Sequence, residues 1–364
     1  MTDRYRVYTK VLKTLKSMVT LHHPGHVVTL AMMVAGIVLS RKAQLSEMSS
    51  EIPSQAKDKS LEMRMRRWVK HPKLEAEQIY LPFAVQILQA LAHQPLRLVM
   101  DASAVGRSCQ VLMVGVVYQK RALPLVWLVY RGQKGHTTAD RHIAVLAKLQ
   151  ALIPAGAEVV LLGDAEYDTT DMQLWLAAQT EWQYVLRTAL QIHVHSELGA
   201  HPVADLPLRQ AQVLLYRQVG FTQAATVTVN LVAWWGRGYE KPIYLLSNLA
   251  GKYLICRYYL RRALIETLFS DQKSRGFQLH KSHLSEPERV SKLLLATCLA
   301  YIWMIMQGLW VITNHQVGVI DRTDRQDKSV FRLGLDWLRH CLKRKVDFQP
   351  LFWFQPIPDV INVR

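Results

Sequence analysis

The sequence predicts an α/β protein: a mixed-sheet core that carries a β-rich insertion and has helical segments at both ends. Three observations predict this. Apolar residues recur at helical spacing up to about residue 90 and again from about residue 283. Between them, three strand-like runs lead into a helix–strand–helix–strand series, the order that builds a mixed sheet. Residues 189–249 then break that series with more strand-like runs, punctuated by Gly220, Gly236 and Gly238. At 364 residues and 50% apolar content, the chain is long enough for a sizeable core and two or three domains.

Residues 1–90 form the first unit. TKVLKTLKSMVTL and VVTLAMMVAGIVLS repeat apolar residues three and four apart, as helices do. Ser46 is placed to cap a short helix, Pro53 to Lys59 reads as a turn, and Leu61 to Val69 as a helix loaded with Arg64, Arg66 and Arg67. Helix, turn and basic helix fit a helix-turn-helix reader of DNA, with those arginines as its contacts. A small bundle with a basic rim gives the same pattern. Pro72 and its polar neighbours mark a linker or boundary.

Residues 91–188 hold the first part of the core. LRLVMDAS, whose apolar run ends in Asp101, CQVLMVGVVYQ and RALPLVWLVYR are successive strands. HTTADRHIAVLAKLQALIP reads as a helix stopped by Pro154, AEVVLLGDAEYD as a buried strand ending at Asp164, TTDMQLWLAAQTEW as a capped helix, and QYVLRT as a strand. After the insertion (189–249), residues 250–315 complete the core with the helix bearing Glu266. Residues 316–364 form a C-terminal helical region and a candidate dimerisation element. No internal repeat or low-complexity tract is visible.

Lys and Arg number 45 against 28 acids, a net charge of +17, which calls for a polyanionic partner: nucleic acid or an anionic membrane surface. Cys109, Cys256, Cys298 and Cys341 are far apart with no C-x2-C pair, as in a reduced cytosolic protein without structural zinc. The first residues lack the features of a signal peptide. Leu293 to Ile312 is apolar enough to span a bilayer, but Gln307 and the charged upstream flank favour a buried core helix. Val27 to Leu39 is too short to span.

The chemistry gathers around YLRRALIETLFSDQK, where Tyr259, Arg262, Glu266 and Lys273 stand at Y-x2-R-x3-E-x6-K. In a continuous helix, steps of three, four and seven keep all four on one face. A solvated amphipathic helix with one Arg–Glu pair is the plain alternative. Upstream, Asp101 and Asp164 each end an apolar strand, where functional residues of open α/β sheets collect. Turn or cap roles would account for either aspartate alone. Together with Glu266 they offer three hard oxygen donors, a set suited to Mg²⁺ beside substrate phosphate. Two such ions support in-line phosphoryl displacement. Glu166, Asp168 and Asp171 are explained by an acid-rich helix start, and His136, His142, His193 and His195 lack a zinc framework. Arg275, His280, Lys281 and His283 either line a DNA channel or are surface loop residues.

With MDAS at Asp101, LLGDAEYD at Asp164 and the Tyr259–Lys273 signature, the chain resembles a DDE transposase of a bacterial insertion sequence, of the subgroup with the YREK signature. The resemblance extends from about residue 35 to 340. It implies an RNase H-like catalytic core with a β-strand insertion, and Mg²⁺ (or Mn²⁺) held by Asp101, Asp164 and Glu266. Tyr259, Arg262 and Lys273 would contact DNA phosphates, and Trp234 or Trp235 of the insertion would stack a base expelled from the transposon end. The two tryptophans also fit a cross-strand aromatic pair. The resemblance further implies a homodimer on paired transposon ends and cut-and-paste transposition. Two other readings compete: a catalytically silent transposase relic that only occupies DNA ends, and a membrane-associated basic protein built on residues 293–312. The expected location is the cytoplasm, on the nucleoid.

Overall fold

The structure, a computed structural model, describes residues 2–352 apart from 134, 136, 197–198, 226, 323 and 326. The chain opens with five helices: α1 (Asp3–Met18), α2 (Pro24–Ser40), α3 (Leu45–Ser49), α4 (Asp58–Lys70) and α5 (Ala76–Leu91). Three strands follow, β1 (Leu96–Val105), β2 (Cys109–Tyr118) and β3 (Arg121–Arg131), then α6 (Ala139–Gln150), β4 (Val159–Gly163), α7 (Thr170–Gln179) and β5 (Gln183–Thr188). Thr169 starts α7 as its sequence suggests, accepting the Met172 amide on its hydroxyl.

The insertion supplies β6 (His193–Ser196), β7 (Gly199–Pro202), β8 (Val213–Phe221), β9 (Val227–Trp234) and β10 (Ile243–Ser247). The chain then runs through α8 (Lys252–Tyr259), α9 (Leu264–Gln272), α10 (Pro287–Thr313), α11 (Val317–Ile320) and α12 (Val330–Arg344). The tail beyond 352, part of the expected C-terminal region, lies outside the described residues.

Among the described residues ten strands form one sheet, ordered β3-β2-β1-β4-β5-β10-β9-β8-β6-β7. β1, β2 and β3 are an antiparallel meander, whereas β1, β4 and β5 run parallel. That five-strand arrangement is the RNase H-like core. The insertion continues the same sheet, because β10 pairs antiparallel with β5, Tyr244 opposite Thr188. It also has a small core of its own around Val194, Phe221, Leu231 and Tyr244.

One apolar cluster runs from Val7 of α1 to Leu351, so the N-terminal helices share a core with the sheet and with α10. The apolar run at Leu293–Ile312 belongs to α10, whose most apolar window is 89% buried within the protein. α12 crosses α10 closely: a Cβ added at Gly334 would lie 1.9 Å from the Met304 carbonyl oxygen, and one at Gly308 1.9 Å from that of Val330.

Candidate active site

Backbone register lines up the core of the site. β1 and β4 pair Leu96 with Val159 through Val99 with Leu162; two residues further along each chain stand Asp101 and Asp164, and both line the same cleft. β4 and β5 pair Val160 with Gln183 through Gly163 with Leu186, so the next residue, Arg187, extends the row. Asp101 is buried and accepts the Ala102 amide at 2.8 Å. Asp164 caps a single 3₁₀ turn, its Oδ1 taking the Ala165 amide at 2.9 Å. Arg187 Nη1 stands 3.9 Å from Asp164 Oδ1.

The signature segment is not one helix. α8 ends at Tyr259 and α9 begins at Leu264. Between them Arg261, Arg262, Leu264, Ile265 and Glu266 bond their amides to carbonyls three residues back, a tighter 3₁₀ path. No proline or glycine imposes this break, and it turns Arg262 inward, where its side chain is 14% exposed. Lys273 caps α9 with φ −102° and ψ −116°, outside the helix. The single helix face expected from the spacing is thus replaced by four residues at the end of α8, in the turn, in α9 and past its end.

They still meet. An open cleft of about 600 Å³ is lined by Asp101, Ser103, Asp164, Arg187, Arg262, Glu266 and Lys273, among others. Arg262 Nη2 lies 2.6 Å from Glu266 Oε1 and Nη1 3.5 Å from Asp164 Oδ2. Burial opposes its charge, but Asp164, Tyr259 and Glu266 raise the guanidinium's pKa above the ordinary value. Lys273 Nζ donates to Ser103, on the same strand face as Asp101. Tyr259 is buried; burial and then Asp164 push its hydroxyl pKa up, against the pull of Arg262 and Arg187.

Arg187 and Ser103 are the residues that the sequence reading missed. Ser103 was findable, two places beyond Asp101 on a strand. Arg187 carries no local signal; only the parallel register reveals it.

Beneath the row, Tyr167 is buried with its ring 4.7 Å from that of His142, edge to face. His142 is fully buried, neither ring nitrogen has a hydrogen-bond partner, and burial lowers its pKa to about 4. This packing supports the turn that presents Asp164. Burial also raises the carboxyl of Asp168, while Asp171 sits in the first turn of α7. Glu166 lines the cleft and accepts the Thr137 amide at 3.4 Å.

The remaining candidates lie elsewhere. Trp234 ends β9 with its ring 5.3 Å from that of Tyr239, and the Trp235 indole donates to the Tyr239 carbonyl at 2.9 Å. Both are half-buried, and the pairings of Ile243 with Trp234 and Tyr244 with Thr188 set them at the sheet edge reached by Arg187. In α4, Arg64 turns inward to Thr29 Oγ1 (2.9 Å) and the Gly25 carbonyl (3.3 Å). Arg66 pairs with buried Glu62 at 2.6 Å, and Arg67 is exposed. Residues 50–57 separate α3 from α4, which packs on α2 and α10. Arg275, His280, Lys281 and His283 are exposed past Lys273. His193 and His195 lie on β6, and His136 is outside the described residues.

A family model described as "Transposase DDE domain" matches residues 95–303. The chain belongs to the DDE transposase family. The match begins one residue before β1 and ends within α10, so it takes in the whole sheet, the insertion and the cleft. Among solved structures, the piggyBac transposase synaptic complex with hairpin DNA, determined by cryo-EM, is similar at 12% identity and TM-score 0.49, covering 93% of this chain and 78% of that one. Comparison with curated proteins found no match.

DDE transposases generally use a divalent metal. Among the described residues no three His, Cys, Asp or Glu groups are placed to share an ion, and Glu266 is paired with Arg262. The donor set nonetheless suits a hard cation: Asp101, Asp164 and Glu266 bring carboxylates to one cleft, and Arg187, Arg262 and Lys273 stand beside them to balance phosphate.

Proposed function

We propose that this chain binds the terminal inverted repeats of its own mobile element and performs cut-and-paste transposition, cleaving and rejoining DNA with a divalent ion, Mg²⁺ or Mn²⁺. The single observation that carries this reading is the convergence of Asp101, Asp164 and Glu266 with three cations in one cleft. When bound, metal ions would activate the attacking oxygen and offset charge on the leaving one. Asp101 and Asp164 would hold them from the rigid sheet, and Glu266 from α9. Arg262 offers a planar fork to phosphate, Lys273 a point charge, and Tyr259 a hydrogen-bond donor without added charge.

The Y-x2-R-x3-E-x6-K spacing supports membership of the YREK subgroup and an origin in a bacterial insertion sequence, with the protein working on the nucleoid. Trp234 or Trp235 would stack an expelled base. Arg66 and Arg67 would add backbone contacts from the N-terminal helices, with Arg64 bracing α4 from inside. A homodimer would pair two ends, with residues 316–364 as its contact region.

The test is a nicking assay on DNA carrying the inverted repeats that flank the gene. Cleavage at the repeat boundary in Mg²⁺ or Mn²⁺, lost with a chelator and restored by metal, is the expected result. Binding without metal-dependent cleavage would identify a silent, end-occupying relic instead.

A further inference from the structure

Arg262 is engaged on two sides. One nitrogen is 2.6 Å from Glu266, the other 3.5 Å from Asp164, and little of the side chain reaches solvent. An Arg–Glu pair at i,i+4 on a helix surface contributes little by itself. Here a second carboxylate from the sheet completes a bridge, and the 3₁₀ turn at 260–264 aims the guanidinium into it. Glu266 is 55% exposed, so no packing forces it onto Arg262; charge does. The two carboxylates assigned above to a metal ion are therefore already joined by a cation that belongs to the chain. A divalent ion between them would need the same oxygens and meet a like charge. DNA phosphate is the occupant that attracts the guanidinium elsewhere, through a charge-assisted, bidentate contact.

We propose that Arg262 is a counter-ion lock: it bridges Asp164 and Glu266 until a DNA phosphate draws it away, so that metal and DNA bind cooperatively at this site. The inference rests on the reading of the cleft as a metal-dependent DNA-cutting site. Its thermodynamics are those of a binding-competent state populated only in part: apparent metal affinity falls by that fraction and is regained when a second ligand releases the lock. Couplings of this kind are typically about 5–150-fold and reciprocal.

The test uses the full chain without DNA, titrated with Mn²⁺ and followed by calorimetry and by the electron paramagnetic resonance of free Mn²⁺. Arg262→Gln is expected to bind Mn²⁺ at least about fivefold more tightly than wild type. Arg262→Lys should move in the same direction, because lysine keeps the charge but cannot span both carboxylates. Arg187→Gln, which removes a cation touching Asp164 alone, should change affinity less than either. If Arg262→Gln fails to fold, Arg262→Lys carries the test. Equal affinity in wild type and both Arg262 variants would overturn the lock while leaving the metal site standing. So would tighter binding in Arg262→Gln with none in Arg262→Lys, since net charge alone would then explain the effect. If no form binds Mn²⁺, the metal reading falls and the lock with it.

Discussion

Asp101 and Asp164 each follow by two residues the pairing of Val99 with Leu162 on the adjacent parallel strands β1 and β4. Their spacing is thus a property of sheet register, which is fixed by a buried apolar pattern and cannot slip by one residue without turning every side chain to the other face. Glu266 has no such constraint: it comes from a short helix after a 3₁₀ turn and is exposed. Two acids are preset, and the third is adjustable.

The row continues with Arg187, 3.9 Å from Asp164. Arg187→Gln should weaken DNA binding about equally for all sequences and reduce the slope of log affinity against log salt by about 1. Fluorescence anisotropy of labelled duplexes at several salt concentrations reads both. An unchanged slope would mean that Arg187 serves the fold and not the phosphate track.

Trp234 and Trp235 should separate in their effects. Trp234→Ala is expected to weaken binding to ends with an unpaired terminal base, relative to fully paired ends, by about 1–3 kcal/mol, the worth of one stacked base. Trp235 is tied to the Tyr239 carbonyl, so Trp235→Ala should chiefly lower stability, by about 1 kcal/mol. 2-Aminopurine at the terminal position reports stacking, and thermal unfolding reports stability. Equal losses for both DNAs with Trp234→Ala would exclude the stacking role.

Much of this was legible in the sequence. Asp164 announces itself as an acid ending an apolar run, Thr169 as a helix start, and the glycine-broken insertion as strands; Asp101 was expected to end its strand too, but β1 stays paired to β2 as far as Val105, so Asp101 lies within it. What escaped depends on contacts distant in sequence. That β10 joins the insertion to β5 is a pairing with no local trace. The break between α8 and α9 has no Gly or Pro to signal it, yet it is what sets Arg262 beside Asp164. The basic face of α4 looks outward in sequence, yet Arg64 is spent on α2. Arg187 is one cation in an ordinary strand until three strands are set in register.

Acid stability should depend on His142. Its pKa is lowered from the ordinary 6.5 to about 4 by burial. The unfolded chain therefore binds a proton that the folded one does not between those values. The stabilisation is complete above about pH 6.5 and is lost as pH falls toward 4, on the order of 3 kcal/mol. His142→Phe, which keeps a ring against Tyr167, should flatten that limb of the stability–pH curve measured by urea unfolding. A limb of unchanged steepness would show that other groups set it.

The crossing of α10 and α12 leaves no room at two glycines. Gly308→Ala or Gly334→Ala would put a Cβ 1.9 Å from a backbone carbonyl oxygen, forcing the helices apart at a cost of about 1–3 kcal/mol or more. Chemical unfolding midpoints should drop for both, and a variant as stable as wild type would contradict the close crossing.

The most direct test of the central claim compares wild type with Asp101→Asn, Asp164→Asn and Glu266→Gln on DNA carrying the flanking inverted repeats, measuring strand cleavage in Mn²⁺ and end binding in parallel. All three variants should bind the ends yet cleave more than about a hundredfold more slowly, beyond what loss of an outer partner of a metal ligand costs. Cleavage at the wild-type rate by any one of them would contradict the assignment of these three carboxylates as the catalytic site.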